Sequence, residues 1–289
     1  MNQASIFLYG DNIGKVDYIE HMGSDLTIVN SARVSFGKHK EVLDERDRKL
    51  INYLVRHRHT STFEHNLVTF RFVVPLYIRS QHHRHRTWSY NEISRRYTDD
   101  EDVPVLFYEP KQFRTQHKTN RQASNAEELI DPVIDYTKIN VPPPIVMGCK
   151  HASDLVKWHH QTSLNLYNSL IEAEICREEA RGVLPQNMYT EYYGTVNLNN
   201  LLKFIDLRIH EGAQWEIVKV AEACLEIATD LWPVSVDAYR RAKKLRLRLE
   251  GLRALMKIED ITITMKNTEE IITYKELLEV IDKFLESEE

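Results

Sequence analysis

A chain of 289 residues, 42% hydrophobic and 28% charged, has the balance of a soluble globular protein with enough length for one large core or two small ones. Its formal net charge of -5 excludes a generally basic nucleic-acid binder and leaves room for a local cationic site. Cys149, Cys176 and Cys224 are too few and too widely spaced for a disulfide framework or zinc ribbon, and no basic leader or run of about 20 apolar residues is present, so a cytoplasmic protein free of the membrane is expected.

Residues 44–58 carry Leu50, Ile51, Leu54 and Val55 at helical spacing among charges, which predicts an amphipathic helix. Residues 59–63 read as a turn. The β-branched and aromatic run Leu67, Val68, Phe70, Phe72, Val73 and Val74 predicts a strand over 66–75 that Pro75 terminates, followed by a helix through 78–86. From about 98 to 154 the chain is polar and proline-rich, with Pro104, Pro110, Pro132 and Pro142-Pro143-Pro144, and reads as a long surface insertion. Helical patterns return over 154–176, 199–210 and 213–231, the last stopped by Pro233. A basic run at 240–248 reads as a solvated helix face, 261–265 as a short strand and 273–285 as an amphipathic helix. The expected division is a main domain over 1–240, carrying the insertion, and a C-terminal extension over 241–289.

The densest chemical signal is the segment Gln81-His82-His83-Arg84-His85-Arg86-Thr87-Trp88-Ser89-Tyr90-Asn91-Glu92-Ile93-Ser94-Arg95-Arg96-Tyr97, with four arginines and three histidines in 17 residues. A guanidinium stays charged and presents a planar fork of donors, so this cluster suits the phosphate or carboxylate of a nucleotide. An arbitrary Arg-rich stretch is more often a solvated basic face. RNA binding, with Trp88, Tyr90 and Tyr97 as stacking platforms, is weakened by the acidic balance and the lack of an RNP-type motif. A metal-dependent hydrolase built on His57, His59, Glu64, His65, His82, His83 and His85 is disfavoured by the interleaved arginines and the missing HExxH spacing; no metal is expected. Trp158 and Tyr167 fit a core-facing helix stripe, and His151, His159 and His160 surface or structural positions.

Arg84-His85-Arg86, seven residues and then Ser94 resemble the Arg-His-Arg-x7-Ser signature of flavin-dependent thymidylate synthases, the ThyX family, and Asn91, Glu92, Arg96 and Tyr97 fit its longer form. Ser31-Ala32-Arg33-Val34-Ser35-Phe36, Thr62-Phe63-Glu64-His65, Ala180-Arg181-Gly182-Val183-Leu184-Pro185, Tyr189-Thr190, Thr195-Val196-Asn197, Asp206-Leu207-Arg208 and Ala213-Gln214-Trp215-Glu216 keep the family's order. The resemblance covers about residues 15–105 and 155–235. It implies an α/β (α+β) fold with a central antiparallel or mixed sheet flanked by helices and a helical second half. It further implies a homotetramer with sites shared between chains, FAD as hydride carrier, NADPH as reductant and 5,10-methylenetetrahydrofolate as donor for methylation of dUMP to dTMP, with no nucleic-acid or membrane partner.

Carried onto this sequence, the resemblance assigns dUMP to Gln81, His82, His83, Arg84, Glu92, Ile93, Ser94, Arg95, Arg96, Arg181 and Arg208. It assigns FAD to His59, Ser61, Arg84, His85, Arg86, Glu92, Asn197, Leu198, Asn199 and Lys203. Arg33 and Ser35 serve either the fold or the flavin site. Two positions depart from the family's pattern: Gly212 stands where a histidine is expected, with His210 two residues earlier, and Lys203 stands where an asparagine is expected. None of the cysteines has the Pro-Cys-His context of the cysteine-dependent thymidylate synthase, so the resemblance leaves Arg208 as the catalytic residue, its guanidinium stabilising charge at N3 and O2 of uracil. No Rossmann glycine fingerprint is present, which is compatible with a flavin pyrophosphate held by arginines and histidines.

Overall fold

The computed structural model describes residues 5–121, 123–135 and 149–258, with the pairs 263–264 and 271–272. The chain divides into two compact units, Met1–Val234 and Ser235–Glu289.

The first unit is organised by strands β1 (Ser5–Phe7), β2 (Lys15–Met22), β3 (Leu67–Pro75), β4 (Ser89–Glu92) and, much later, the strand Tyr189–Asn197. Between β2 and β3 lie helices α1 (Asp25–Arg33) and α2 (Glu45–Arg56), and β3 runs straight into α3 (Leu76–His82). The insertion supplies β5 (Phe113–Gln116), β6 (Ser124–Ile130), β7 (Val133–Asp135) and β8 (Cys149–His151). Helices α4 (Ala152–Glu172) and α5 (Arg177–Ala180) lead to β9, the strand Tyr189–Asn197, which runs straight into α6 (Leu198–Arg208), followed by α7 (Trp215–Leu231) and α8 (Pro233–Ile258).

The main sheet is antiparallel, in the order β1-β2-β3-β9-β4. Along β3, Val68, Phe70, Phe72 and Val74 are buried and the alternate positions are half-buried, the two-residue period of a strand with one face in the core. Its neighbour β9 buries Thr190, Tyr192, Gly194 and Val196 in the same rhythm. Gly194 is required by close approach: a Cβ there would lie 2.9 Å from the Phe72 ring and 3.2 Å from Trp88. Helix α7 contacts β2, α3 and α6, burying Ile217, Val220, Ala221, Cys224 and Ala228. Pro233 both ends α7 and opens α8, as a residue without an N–H donor can at a first helical turn. Trp232, the residue between these helices in sequence, is fully buried and donates from Nε1 to the Gly23 carbonyl at 3.1 Å.

Most expected elements lie within a few residues of their places. The helix expected over 78–86 ends at His82, and Ser89–Glu92 within the Arg-rich segment forms an edge strand beside β9. The insertion carries two antiparallel pairs, β5 with β6 and β7 with β8, and buries Val105, Tyr108 and Ala123. Tyr167 is fully buried and Trp158 half-buried. His151 and His159 are exposed, whereas His160 is buried, sharing a 2.9 Å hydrogen bond with Glu109 and stacking on Phe107. In the second unit, Ile263–Thr264 pairs with Ile271–Ile272 and Asp237 holds Arg241 at 2.7 Å. The helix expected over 273–285 lies outside the described residues.

Asp44 caps α2, accepting from the Asp47 N–H, and Asp47 answers by accepting from the Asp44 N–H, a reciprocal pair that satisfies two otherwise orphaned donors. Asp47 is fully buried and also meets Arg33 at 2.6 Å and Lys40 at 2.7 Å. Burial pushes its carboxyl upward, but hydrogen bonds from Lys40, the Asp44 backbone and Arg33 outweigh burial and hold its pKa at about 2, below the ordinary 3.8. A depressed folded-state pKa contributes stability that is present above the unfolded value and is lost as pH falls through the folded one. Asp47→Asn should therefore cost about 3 kcal/mol at pH 7 in denaturant unfolding, with the gap to wild type narrowing as pH falls from about 4 towards 2. A gap that stays constant across that range would remove the charge from the explanation.

Candidate active site

Arg208, the last residue of α6, is half-buried and held from two sides. Its Nη2 donates to the Gln81 carbonyl at 3.1 Å and its Nε to His85 Nε2 at 3.1 Å. Burial lowers its pKa from 12.5, yet a guanidinium this basic keeps its charge. Burial, and then the Arg208 charge, lower the pKa of His85 from 6.5 to about 4, so the imidazole is neutral at pH 7 and serves as an acceptor.

His82 is fully buried, its Nδ1 sharing a 2.8 Å hydrogen bond with the Tyr192 hydroxyl and its ring enclosed by Trp88, Phe204 and Phe72 at 4.5, 4.6 and 4.8 Å. Burial, then His85, His83 and Arg208, drive its pKa well below 6.5, which makes it a neutral anchor for the turn after α3. Tyr90 locks that turn by donating its hydroxyl to the carbonyls of His82 and His85 at 3.0 and 3.1 Å. His83 lies against the Tyr90 ring at 4.1 Å, and burial lowers its pKa.

Glu92 on β4 is half-buried, lies 3.0 Å from Arg79 Nε and accepts from Thr190 Oγ1 at 2.7 Å. The Ile93 N–H donates to the Glu191 carbonyl at 2.9 Å. The Ser94 hydroxyl accepts from the Arg96 N–H at 3.3 Å. Arg95 is buried, with its guanidinium donating to the carbonyls of Asp99, Val103 and Pro104 at 2.9, 2.5 and 3.1 Å. Arg96 is exposed and lies 3.4 Å from Glu178. Arg181 is exposed in the short 3-10 turn after α5. Arg84 and Arg86 are both exposed, and neither has a side-chain ion pair or hydrogen bond among the described residues.

A second group gathers at the opposite end of α6. Asn197 caps that helix by accepting from the Asn200 N–H at 2.9 Å, Leu198 is fully buried, and Asn199 donates to Glu64 Oε1 at 2.7 Å. His59, Ser61 and Lys203 are exposed, with Tyr53 4.2 Å from His57 and 5.8 Å from His59, ring centre to ring centre. Nine residues of helix separate Asn199 from Arg208, roughly 14 Å along the axis. One chain thus brings together Gln81, His82, His83, His85 and Arg208, and holds His59, Ser61, Asn197, Leu198 and Asn199 elsewhere. At the two departures, Gly212 donates its N–H to His210 Nδ1 at 3.0 Å and Lys203 points to solvent.

Sequence reading gave no role to Arg79, Tyr192 or Thr190, which support the site from within one chain. Their hydrogen-bond and ion-pair partners lie 13 to more than 100 residues away in sequence, so no local pattern marks them. Among the described residues no group of three or more His, Cys, Asp or Glu could hold a metal ion, and no helix is long and apolar enough to cross a membrane.

An antiparallel sheet flanked by helices, with Arg208 fixed at the end of α6 and Arg84 and Arg86 exposed in the turn after α3, defines an α/β protein with a cationic surface at that turn. Residues 17–234 match the family described as thymidylate synthase complementing protein. The chain is 38% identical over 248 residues to a flavin-dependent thymidylate synthase of Thermus thermophilus, covering 84% of this chain and 83% of that one. It is 36% identical over 279 residues to the flavin-dependent thymidylate synthase of Wolbachia pipientis wMel, covering 93% of this chain and 90% of that one. Among solved structures, the UMP/dUMP methylase PolB from Streptomyces cacaoi, bound with 5-Br dUMP, superposes with a TM-score of 0.64 at 30% identity, over 82% of this chain and 97% of that one. This chain belongs to the flavin-dependent thymidylate synthase family.

The Arg208–His85 contact has a spectroscopic consequence. In a histidine-resolved NMR titration, His85 should titrate near pH 4 in the wild type and higher in Arg208→Ala, because the neighbouring charge is gone while burial remains. An unchanged His85 titration in a folded Arg208→Ala protein would show that the two groups do not sense each other.

Proposed function

We propose that this protein is a cytoplasmic flavin-dependent thymidylate synthase that converts dUMP to dTMP by reductive methylation, with FAD as hydride carrier, 5,10-methylenetetrahydrofolate as one-carbon donor and NADPH as reductant. The observation that carries this reading is the fixation of Arg208 by the Gln81 carbonyl and a neutral His85, beside the unpaired Arg84 and Arg86. Family membership, the names of the relatives and the 5-Br dUMP bound to the solved neighbour support it.

The chemistry follows from what the side chains can do. Uracil C5 is a poor nucleophile, and a guanidinium set beside N3 and O2 stabilises negative charge on that edge of the ring, which raises the nucleophilicity of C5 before it attacks. Arg208 suits that task because two hydrogen bonds fix its plane and leave its other N–H groups to reach a ligand. Of the two cysteines whose side chains are described, Cys224 is fully buried with its thiol pushed well above its ordinary pKa, and Cys176 precedes α5 on the surface, so neither is offered as a nucleophile. The residues also fit a flavin. Arg84 and Arg86 are cations without side-chain partners among the described residues, suited to a pyrophosphate, and the exposed His57, His59 and Tyr53 rings offer flat faces. These residues would hold FAD, which would supply hydride-transfer chemistry when bound.

The dUMP set is Gln81, His82, His83, Arg84, Glu92, Ile93, Ser94, Arg95, Arg96, Arg181 and Arg208. Within it, His82 and Arg95 act through the fold, since one is enclosed and the other is buried and held by three carbonyls. The FAD set is His59, Ser61, Arg84, His85, Arg86, Glu92, Asn197, Leu198, Asn199 and Lys203. Its members at the start of α6 sit well away from His85, which contacts Arg208 at the far end of that helix, and this favours sites that draw residues from more than one chain of the proposed homotetramer.

Purified protein should be yellow or take up FAD, and should oxidise NADPH faster when dUMP is present; a colourless protein indifferent to FAD would end the reading. Arg208→Ala should lower dTMP formation about 10²–10³-fold with FAD binding retained. Hybrids reassembled from inactive Arg96→Ala and Arg208→Ala chains should regain activity if each site draws these arginines from different chains. Hybrids verified by mass that recover nothing would remove that assignment and leave the chemistry standing.

A further inference from the structure

Glu216, in the first turn of α7, is buried to 3% exposure, and no role for it follows from the reaction described above. Its Oε1 meets Arg114 Nη2 at 2.6 Å and the Tyr108 hydroxyl at 3.4 Å, both from the insertion. Arg114 sits on β5, is pinned by donating from Nε to Ser124 Oγ at 3.1 Å, and lies over the Trp215 ring at 5.1 Å. The other carboxylate oxygen, Oε2, accepts from Gln214 Nε2 at 3.0 Å. Gln214 Oε1 in turn accepts from Gln81 Nε2 at 2.5 Å, and the Gln81 backbone carbonyl accepts from Arg208. A continuous chain therefore runs from an insertion strand, through a buried carboxylate and two amides, to the residue that holds Arg208.

An amide can face a neighbour with either its nitrogen or its oxygen, and nothing local decides between them. A carboxylate can only accept. With Glu216 ionised against Arg114, Gln214 must turn its NH₂ to the carboxylate and its oxygen to Gln81. Gln81 must then spend its NH₂ on Gln214, which leaves Oε1 as the atom of that amide without a protein partner among the described residues. We infer that Arg114 and Glu216 are a positioning pair that sets the polarity of the Gln214–Gln81 chain, so that Gln81 presents an acceptor to its ligand. The inference rests on reading the Gln81–Arg208 site as a dUMP site. An acceptor there suits a ligand edge that offers an N–H, as the N3 of uracil does and the N3 of cytosine does not.

Two measurements, one without any ligand, test this. In the ligand-free protein, Gln81→Glu sets an acceptor against the Gln214 oxygen and should lower Tm. In a Glu216→Gln background the chain can reverse, Gln214 can donate to the carboxylate introduced by Gln81→Glu, and the same substitution should cost much less. In kinetics, Glu216→Gln and Arg114→Met should each raise the KM for dUMP roughly tenfold with kcat largely retained, the pattern of lost ground-state contact. FAD affinity should not move, whereas a merely structural defect would weaken flavin binding and lower kcat as well. Arg114→Lys, which keeps the charge, should recover most of the dUMP affinity. The inference is overturned if Gln81→Glu costs the same Tm in both backgrounds, or if neither Glu216→Gln nor Arg114→Met changes the KM. A wild-type protein that makes no dTMP from dUMP would strike the functional reading instead, and the Tm comparison would still decide the polarity of the chain.

Discussion

The antiparallel pairing of β3 with β9, continuous from Leu67 opposite Asn197 to Pro75 opposite Tyr189, is the constraint on which the rest of the molecule depends. Because the strands run in opposite directions, the helices that follow them, α3 after Pro75 and α6 after Asn197, begin at opposite ends of the sheet. A nine-residue strand spans roughly 30 Å. The two helices, of seven and 11 residues, together span roughly 27 Å. They can therefore meet near their C-terminal ends, and they do so through Arg208 and the carbonyl of Gln81. Helix C-termini carry partial negative charge, so this meeting point favours a cation before any ligand arrives.

That arrangement bears on how a site with so many arginines stays folded. Arg79 is matched by Glu92, Arg177 by Asp99, and Arg95 by three carbonyls, which removes them from the list of cations free to bind. The three histidines of the segment add no charge at pH 7, because burial lowers the pKa of His82, His83 and His85 alike. The positive charge left around this turn is then carried by the guanidinium groups of Arg84, Arg86 and Arg208. Affinity for a phosphorylated ligand should accordingly follow the ionisation of the ligand more than that of the protein.

Much of this was legible in the sequence where one element carries its own signal. Helices α2, α4, α6 and α7 and strand β3 announce themselves by apolar periodicity, and Arg208 by the motif around it. Strand β9 was not legible: Glu191, Tyr193 and Gly194 interrupt its apolar pattern, and its fitness as a strand lies in a glycine that admits Phe72 and Trp88. Strand β4, Ser89-Tyr90-Asn91-Glu92, is polar because it is an edge, and its composition reads as part of the basic segment. The order of the site residues could be read, but not their separation in space, because the length and direction of α6 decide which of them meet.

The insertion shows why composition misleads about a region's structural importance. Its proline-rich, polar character suggests a surface loop, yet Leu106 accepts from the Tyr189 N–H at 2.8 Å and the Tyr108 N–H donates to Asn187 at 2.9 Å, so its first residues lie along the approach to β9. Glu109 holds the buried His160 of α4, and Arg114 meets the buried Glu216 of α7. A buried carboxylate left without a cation would carry a large desolvation penalty, and among the described residues Arg114 supplies the cation that Glu216 contacts. Core and insertion are therefore not independent layers. Glu216 tolerates burial because the insertion brings Arg114 to it, and Arg114 keeps its place because α7 offers both that carboxylate and the Trp215 ring.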